Sequence, residues 1–171
     1  SPAGLFYVVM EYLQGMNLRD WLEINGPLPM ADTRQLLEQI LQSLEEAHNR
    51  ELIHRDLKPE NIFLTGLEEG ALHAKVLDFG LSKFVGDPNS TLYRGPSLTA
   101  EGQICGTPQY MSPEHAYGEK VDPPGDIYSL GRLIFEALLG YPSFDGATPL
   151  DILRLQVKEP TPPLPAEFTD T

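Results

Sequence analysis

A single cysteine, Cys105, in 171 residues leaves no internal disulfide to staple the chain, so stability has to come from a packed core, and the composition suits a reducing compartment. Cations are scarce as well. Twelve Lys and Arg stand against 25 Asp and Glu, a formal net charge of −13, which excludes a protein built to grip a nucleic-acid backbone. The longest apolar run, Leu5 to Met10, is far too short to cross a bilayer, and Ser1-Pro2-Ala3-Gly4 lacks the basic start of a secretory leader. The chain is therefore expected to be cytoplasmic, with no nucleic-acid partner and no membrane segment of its own, an anchor outside this segment staying open. Low complexity is missing too, because 15 Gly and 16 Pro fall short of a disordered composition. With 41% hydrophobic residues the chain can bury a core as one domain or a large piece of one.

What the sequence does have is apolar periodicity. Leu5-Phe6-Tyr7-Val8-Val9-Met10 reads as a buried strand ending at Glu11, broken by Gly15. Asn17 caps a short helix carrying Leu18, Trp21 and Leu22, and Asn25-Gly26-Pro27 stops it. From Asp32 to about Arg50, the residues Leu36, Leu37, Ile40, Leu41, Leu44 and Ala47 recur at three and four, the clearest amphipathic helix in the chain. Leu52-Ile53, Ile62-Phe63-Leu64 and Ala74 to Leu77 are too short for helices and read as small strands presenting loops. Residues 82–104 lack periodicity and form a long polar loop. From Asp126 to Leu139 the apolar residues cover nearly all faces, which predicts a buried helix ended by Gly140. A last helix runs from Thr148 or Pro149 to about Val157, before Pro160, Pro162, Pro163 and Pro165.

The residues that carry chemistry sit between these elements. His54-Arg55-Asp56-Leu57-Lys58-Pro59-Glu60-Asn61 places a carboxylate, an ammonium and an amide within one loop, and Asp78-Phe79-Gly80 adds a second carboxylate after a strand, a turn and a strand. An aspartate accepts the proton of an attacking hydroxyl, a lysine neutralises charge on a transferring phosphoryl group, and Asn and Asp oxygens are hard ligands of the kind Mg²⁺ takes. Gly80 permits the turn that aims Asp78 back into such a site. A lone Asp-Phe-Gly would be no more than a turn after a strand; the case rests on its company.

These motifs, with Gly106-Thr107-Pro108-Gln109-Tyr110-Met111-Ser112-Pro113-Glu114 behind them, resemble the catalytic loop, metal loop and APE-type segment of eukaryotic-type (Hanks-type) serine/threonine protein kinases, in the family's order. The wording GTPQYMSPEHA is similar to bacterial members. The resemblance implies an α+β, mainly helical fold, the large C-terminal lobe of a kinase with the N-terminal β lobe missing, from the hinge to the helix near residue 157, with 82–104 as activation loop. It implies ATP and Mg²⁺ as cofactors and a protein substrate with a serine or threonine acceptor. Asp56 then corresponds to the catalytic base, with Lys58 and Thr107 beside it, and Asn61 and Asp78 to the metal ligands. Met10 corresponds to the gatekeeper, Glu11 to Leu13 to the hinge, Asn17 to a ribose contact, and Phe63, with Leu18, Ile62 and Leu64, to the floor under the purine. His54 and Phe79 match a stacked apolar spine, and Asp126 the aspartate that holds the catalytic-loop backbone. Arg55 matches the arginine that pairs with an activation-loop phosphate, for which Thr99 and Ser97 are the candidate acceptors.

The departures from the family pattern set further expectations. The 171 residues contain no Gly-rich phosphate loop and no lysine-bearing strand of the VAIK type, so the fragment alone is expected to be inactive. Glu114 is expected without the arginine partner that later helices supply in the family. Glu136 matches a position that contacts basic substrate residues in some kinases, or is structural on its buried helix. Cys105 reads as a small packed hydrophobe. A pseudokinase-like scaffold or a truncated-lobe interaction module, without phosphotransfer, is the alternative function.

Overall fold

The computed structural model describes residues 9–66, 71–79 and 107–168. The described chain begins with β1 (Met16–Asn17) and α1 (Leu18–Asn25), followed by α2 (Met30–His48), β2 (Ile62–Thr65), β3 (His73–Val76), α3 (Pro113–Ala116), α4 (Pro123–Leu139) and α5 (Pro149–Lys158). Short 3₁₀ turns occupy Pro59–Asn61, Pro108–Tyr110 and Ala166–Phe168. The three strands form one antiparallel sheet in sequence order, with Met16 opposite Leu64 and Ile62 opposite Val76. Gly15 makes that sheet's first pairing feasible: at φ 146°, a Cβ there would lie 1.9 Å from the Leu64 carbonyl oxygen.

The amphipathic stripe of α2 is the spine of the core. Leu36, Ile40 and Leu44 are fully or almost fully buried, where they join Leu57, Ile62 and Leu64 from the loop and sheet and Leu130 and Leu133 from α4. Each such side chain contributes roughly 1.5–3 kcal/mol of burial before entropy is subtracted. Packed on one side against β3 and on the other against α4, α2 fixes the height at which the loop between α2 and β2 emerges. Gln39 ties helix to sheet by accepting from the Ala74 N–H at 2.7 Å and donating to the Leu72 carbonyl at 3.0 Å.

Several boundaries differ from the sequence reading. The helix expected from Asp32 to Arg50 is Met30–His48, because Thr33 N–H already bonds the Pro29 carbonyl at 2.9 Å. It ends without glycine. Glu51 takes the left-handed conformation at φ 59°, and Leu52 N–H returns to the Ala47 carbonyl at 2.9 Å, a Schellman closure built on a glutamate. Leu52-Ile53 consequently serves as helix termination and is not a strand. Val9 and Met10 are not in a strand either, and they are 85% and 73% exposed, since no described element covers them; residues 5–8 of that expected strand lie outside the described residues. The helix expected at Asp126 starts at Pro123, where two prolines occupy first-turn positions that need no N–H. Its burial is not all apolar: Ile127 is half exposed, while Arg132 and Glu136 are buried. Gly140 closes it in the left-handed conformation, as the sequence indicated. The last helix starts at Pro149, one of the two expected positions, and Thr148 caps it, its hydroxyl accepting from Asp151 N–H.

Candidate active site

The loop from His54 to Asn61 is held against α4 by one buried carboxylate. Asp126 accepts from His54 N–H and Arg55 N–H, both at 2.9 Å, and from His48 Nε2 at 2.7 Å. Its burial is near complete, so these donors offset a desolvation cost of several kcal/mol. The clamp has a conformational purpose. Arg55 sits at φ 68°, a left-handed conformation costing an L-residue about 1–2 kcal/mol, and the two amides bound to Asp126 are its own and that of the residue leading into the bend.

The bend presents Asp56, whose carboxylate is about half exposed and lies 2.7 Å from Lys58 Nζ. Asn61 closes the loop from the other end, with Nδ2 donating to the Asp56 carbonyl at 2.8 Å and reaching Asp56 Oδ2 at 3.5 Å. Carboxylate, ammonium and amide thus share one small surface. Asn61 also joins the second motif, because its carbonyl accepts Leu77 N–H at 2.8 Å, one residue before Asp78. Asp78 is the third described non-glycine residue with positive φ, at 61°, so two of the three strained residues belong to these motifs. His54 links them: Asp56 N–H donates to Nδ1, which leaves Nε2–H to donate to the Leu77 carbonyl at 2.8 Å and fixes a neutral tautomer. Its ring meets Phe79 edge-on at 5.0 Å, the pairing expected of the two spine residues.

The donor chemistry fits a hard divalent cation. With Asn61 Nδ2 spent on Asp56, its Oδ1 has no donor among the described residues, and Asp78 offers an exposed carboxylate beside it in the backbone network. No group of three or more His, Cys, Asp or Glu side chains able to hold a metal occurs among the described residues, so such an ion would rely on Asn61 and Asp78 with phosphate oxygens from a nucleotide.

The remaining sequence-predicted residues are placed as follows. Glu11 pairs with Lys75 of β3 at 2.5 Å, which ties the segment holding Met10 and the half-buried Leu13 to the sheet. Asn17 stands opposite Phe63 in the β1–β2 pairing, but both ends of its amide are engaged by Asp20, whose N–H it accepts at 2.8 Å and whose carboxylate it reaches at 2.9 Å. Thr107 precedes the Pro108–Tyr110 turn and makes no side-chain hydrogen bond to Asp56 or Lys58. Glu114 has no ion pair among the described residues and lies against the first turn of α4, where its Oε1 would be 3.1 Å from a Cβ at Gly125. Gly80, Ser97, Thr99, Cys105 and the 82–104 segment lie outside the described residues.

Sequence reasoning missed a network behind this site. Arg19 of α1 donates from Nε to Glu60 at 3.2 Å, from Nη1 to Glu136 at 2.6 Å and from Nη2 to the Tyr110 hydroxyl at 2.6 Å. Tyr110 in turn donates to Glu136. Burial alone would lower the Arg19 pKa, yet the hydrogen bond to Glu136 and the surrounding negative charge raise it well above the usual guanidinium value. Burial, then the Glu136 charge, pushes the Tyr110 phenol far above its ordinary range, so it stays a donor at all physiological pH. A buried Glu136 on an apolar helix was the one available signal. Burial also lowers the pKa of His115, with Arg55 adding to it against the opposing pull of Asp56, Glu114 and Asp126.

Comparison with known proteins agrees with this geometry. A family model described as the protein kinase domain matches residues 3–164. The chain is 38% identical over 165 residues to serine/threonine-protein kinase PknB of Mycobacterium tuberculosis (strain ATCC 25618 / H37Rv), covering 95% of this chain and 25% of that protein. It is 40% identical over 158 residues to the probable serine/threonine-protein kinase PknB of Bifidobacterium longum, covering 92% of this chain and 21% of that protein. To serine/threonine-protein kinase pkn3 of Myxococcus xanthus it is 35% identical over 163 residues, covering 95% and 29%. The chain thus spans about a quarter of the length of the curated relatives it matches. A strained catalytic-type loop clamped on a helix carboxylate, the Asp78 motif tied to it through the Asn61–Leu77 backbone bond and a match along almost the whole sequence lead to one conclusion: the chain belongs to the protein kinase domain family, in the company of bacterial Hanks-type serine/threonine kinases.

Proposed function

We propose that the protein containing this chain transfers the γ-phosphoryl group of ATP to serine or threonine hydroxyls of protein substrates. Residues 1–171 are then the large lobe of its catalytic domain, from the hinge to the helix near residue 157. Asp56 receives the acceptor proton as the hydroxyl oxygen attacks phosphorus in line and the bond to the β-bridging oxygen breaks, releasing ADP. Lys58, already paired with Asp56, offers its ammonium to the transferring oxygens. Asn61 and Asp78 would hold Mg²⁺, which supplies charge neutralisation on the phosphates. Met10 and Glu11 to Leu13 would border the adenine, with Phe63 beneath it. The fragment alone is inactive, because the Lys–Glu pair the family uses is not in these 171 residues.

The observation that carries this reading is the grouping of Asp56, Lys58 and Asn61 within hydrogen-bond reach on a loop whose strained bend Asp126 holds. The test is phosphate transfer from labelled Mg²⁺-ATP to a serine or threonine peptide by the full-length protein. Asp56→Asn is expected to lower kcat by about a hundredfold or more. Wild-type and variant proteins that both remain at background would instead assign the chain to a scaffold without phosphotransfer.

A further inference from the structure

The Pro108–Tyr110 turn borders the surface that presents Asp56. Its Tyr110 hydroxyl shares Arg19 with Glu60 of the catalytic-type loop, and the charges of Asp56 and Arg55 reach His115 in α3 just beyond it. A peptide that brings its hydroxyl to Asp56 therefore runs along this turn. The turn closes itself poorly. Tyr110 N–H to the Thr107 carbonyl and Met111 N–H to the Pro108 carbonyl both measure 3.3 Å, long for a backbone hydrogen bond. Its shape depends on partners outside it: Ser129 Oγ donates to the Tyr110 carbonyl at 2.7 Å, and Gln156 Nε2 of α5 donates to the Pro108 carbonyl.

Gln156 is oriented by a buried cation. Arg132 of α4 is 5% exposed and pairs with no carboxylate among the described residues, although the chain has 25. Its guanidinium lies over the rings of Tyr128 and Phe144, 4.7 and 4.5 Å from their centroids, and Nη1 donates to Ser143 Oγ at 3.0 Å. Nη2 donates to the Tyr128 hydroxyl at 2.6 Å. The phenol then turns its own proton to Gln156 Oε1 at 3.0 Å, which leaves Nε2 of the amide facing Pro108. All three bonds run in one direction, so the positive charge polarises each donor in turn. An unpaired buried charge costs the fold stability, so stability alone gives no reason for it.

We propose that Arg132 is a positioning residue: acting through Tyr128 and Gln156, it holds the Pro108 carbonyl, and with it the turn along which the protein substrate lies. This role presupposes the phosphotransfer reading above.

The test uses the full-length protein, a serine peptide and Mg²⁺-ATP. Gln156→Met removes the Pro108 donor at nearly constant volume. The peptide KM is expected to rise about fivefold, the worth of one hydrogen bond, with the KM for ATP and kcat at saturating peptide near wild type. Arg132→Met should raise the peptide KM to a similar extent with no fall in Tm, since an apolar side chain replaces an unpaired buried cation. In the double variant the peptide KM should be no higher than in Gln156→Met alone, because the arginine acts through the glutamine. Tyr128→Phe keeps the ring over the guanidinium and breaks the line at its middle; it should match Arg132→Met, and it carries the test if that variant does not fold. A peptide KM unmoved in folded variants, additive effects in the double variant, or a joint fall of kcat, ATP affinity and Tm overturns this role and assigns the cluster to the fold. A wild type that transfers no phosphate overturns the functional reading, and this role with it.

Discussion

At the scale of single residues, the site is organised by side chains that hold others in costly states. Asp126 holds the left-handed Arg55 by accepting its amide and that of His54 before it, and Arg19 and Tyr110 together bind the buried Glu136 carboxylate. His115 is the opposite case, a group held uncharged. Burial lowers its pKa below the ordinary 6.5, so the folded chain takes up its proton later than the unfolded chain does on acidification. A depressed folded value contributes full stability above the unfolded pKa and loses it as pH falls. Urea midpoints should therefore decline as the pH falls below about 6.5, and His115→Gln should flatten that part of the curve. An unchanged slope in the variant would assign the decline to other groups.

At the scale of elements, β1 is only two residues long, yet it aligns Asn17 with Phe63 and carries the chain into α1, where Arg19 is found. Its pairing depends on Gly15. In Gly15→Ala the new methyl would meet the Leu64 carbonyl at 1.9 Å, and β1 would have to leave β2. Thermal or urea unfolding should show a loss of roughly 3 kcal/mol or more, and native-like stability would show that the edge can shift without cost. Elements of this kind also mark what could be read in advance. The stripes of α2 and the apolar richness of α4 were legible because burial repeats at the helical period, and Asn17 and Gly140 announced helix ends through known cap chemistry. The end of α2 was not legible: a glutamate took the place glycine usually fills, so Leu52-Ile53 looked like a strand. The catalytic and metal motifs were legible as residue types in order. Their physical support was not, because Arg19, Tyr110 and Glu136 are distant in sequence and meet only once α1, the Pro108–Tyr110 turn and α4 pack together.

At the scale of the whole molecule the dominant feature is a formal charge of −13 on 171 residues, which opposes the compact state by self-repulsion. Salt acts on this repulsion and on the ion pairs in opposite senses, and their placement decides which wins. Arg34–Glu38, Arg50–Glu46 and Lys120–Asp122 lie on the surface, where a pair contributes about 0–1 kcal/mol, so screening them removes little. Arg19–Glu136 contains a nearly fully buried carboxylate, and salt reaches such a pair poorly. The long-range repulsion among surplus acidic groups is the exposed component, and it is largely screened once the Debye length falls to about 8–10 Å. Raising NaCl from low to physiological concentration is therefore expected to raise Tm, with a further, smaller gain above it. A Tm that falls with added salt would mean that attraction between surface charges outweighs the acidic surplus, and that the few cations of this chain are placed more effectively than their number implies.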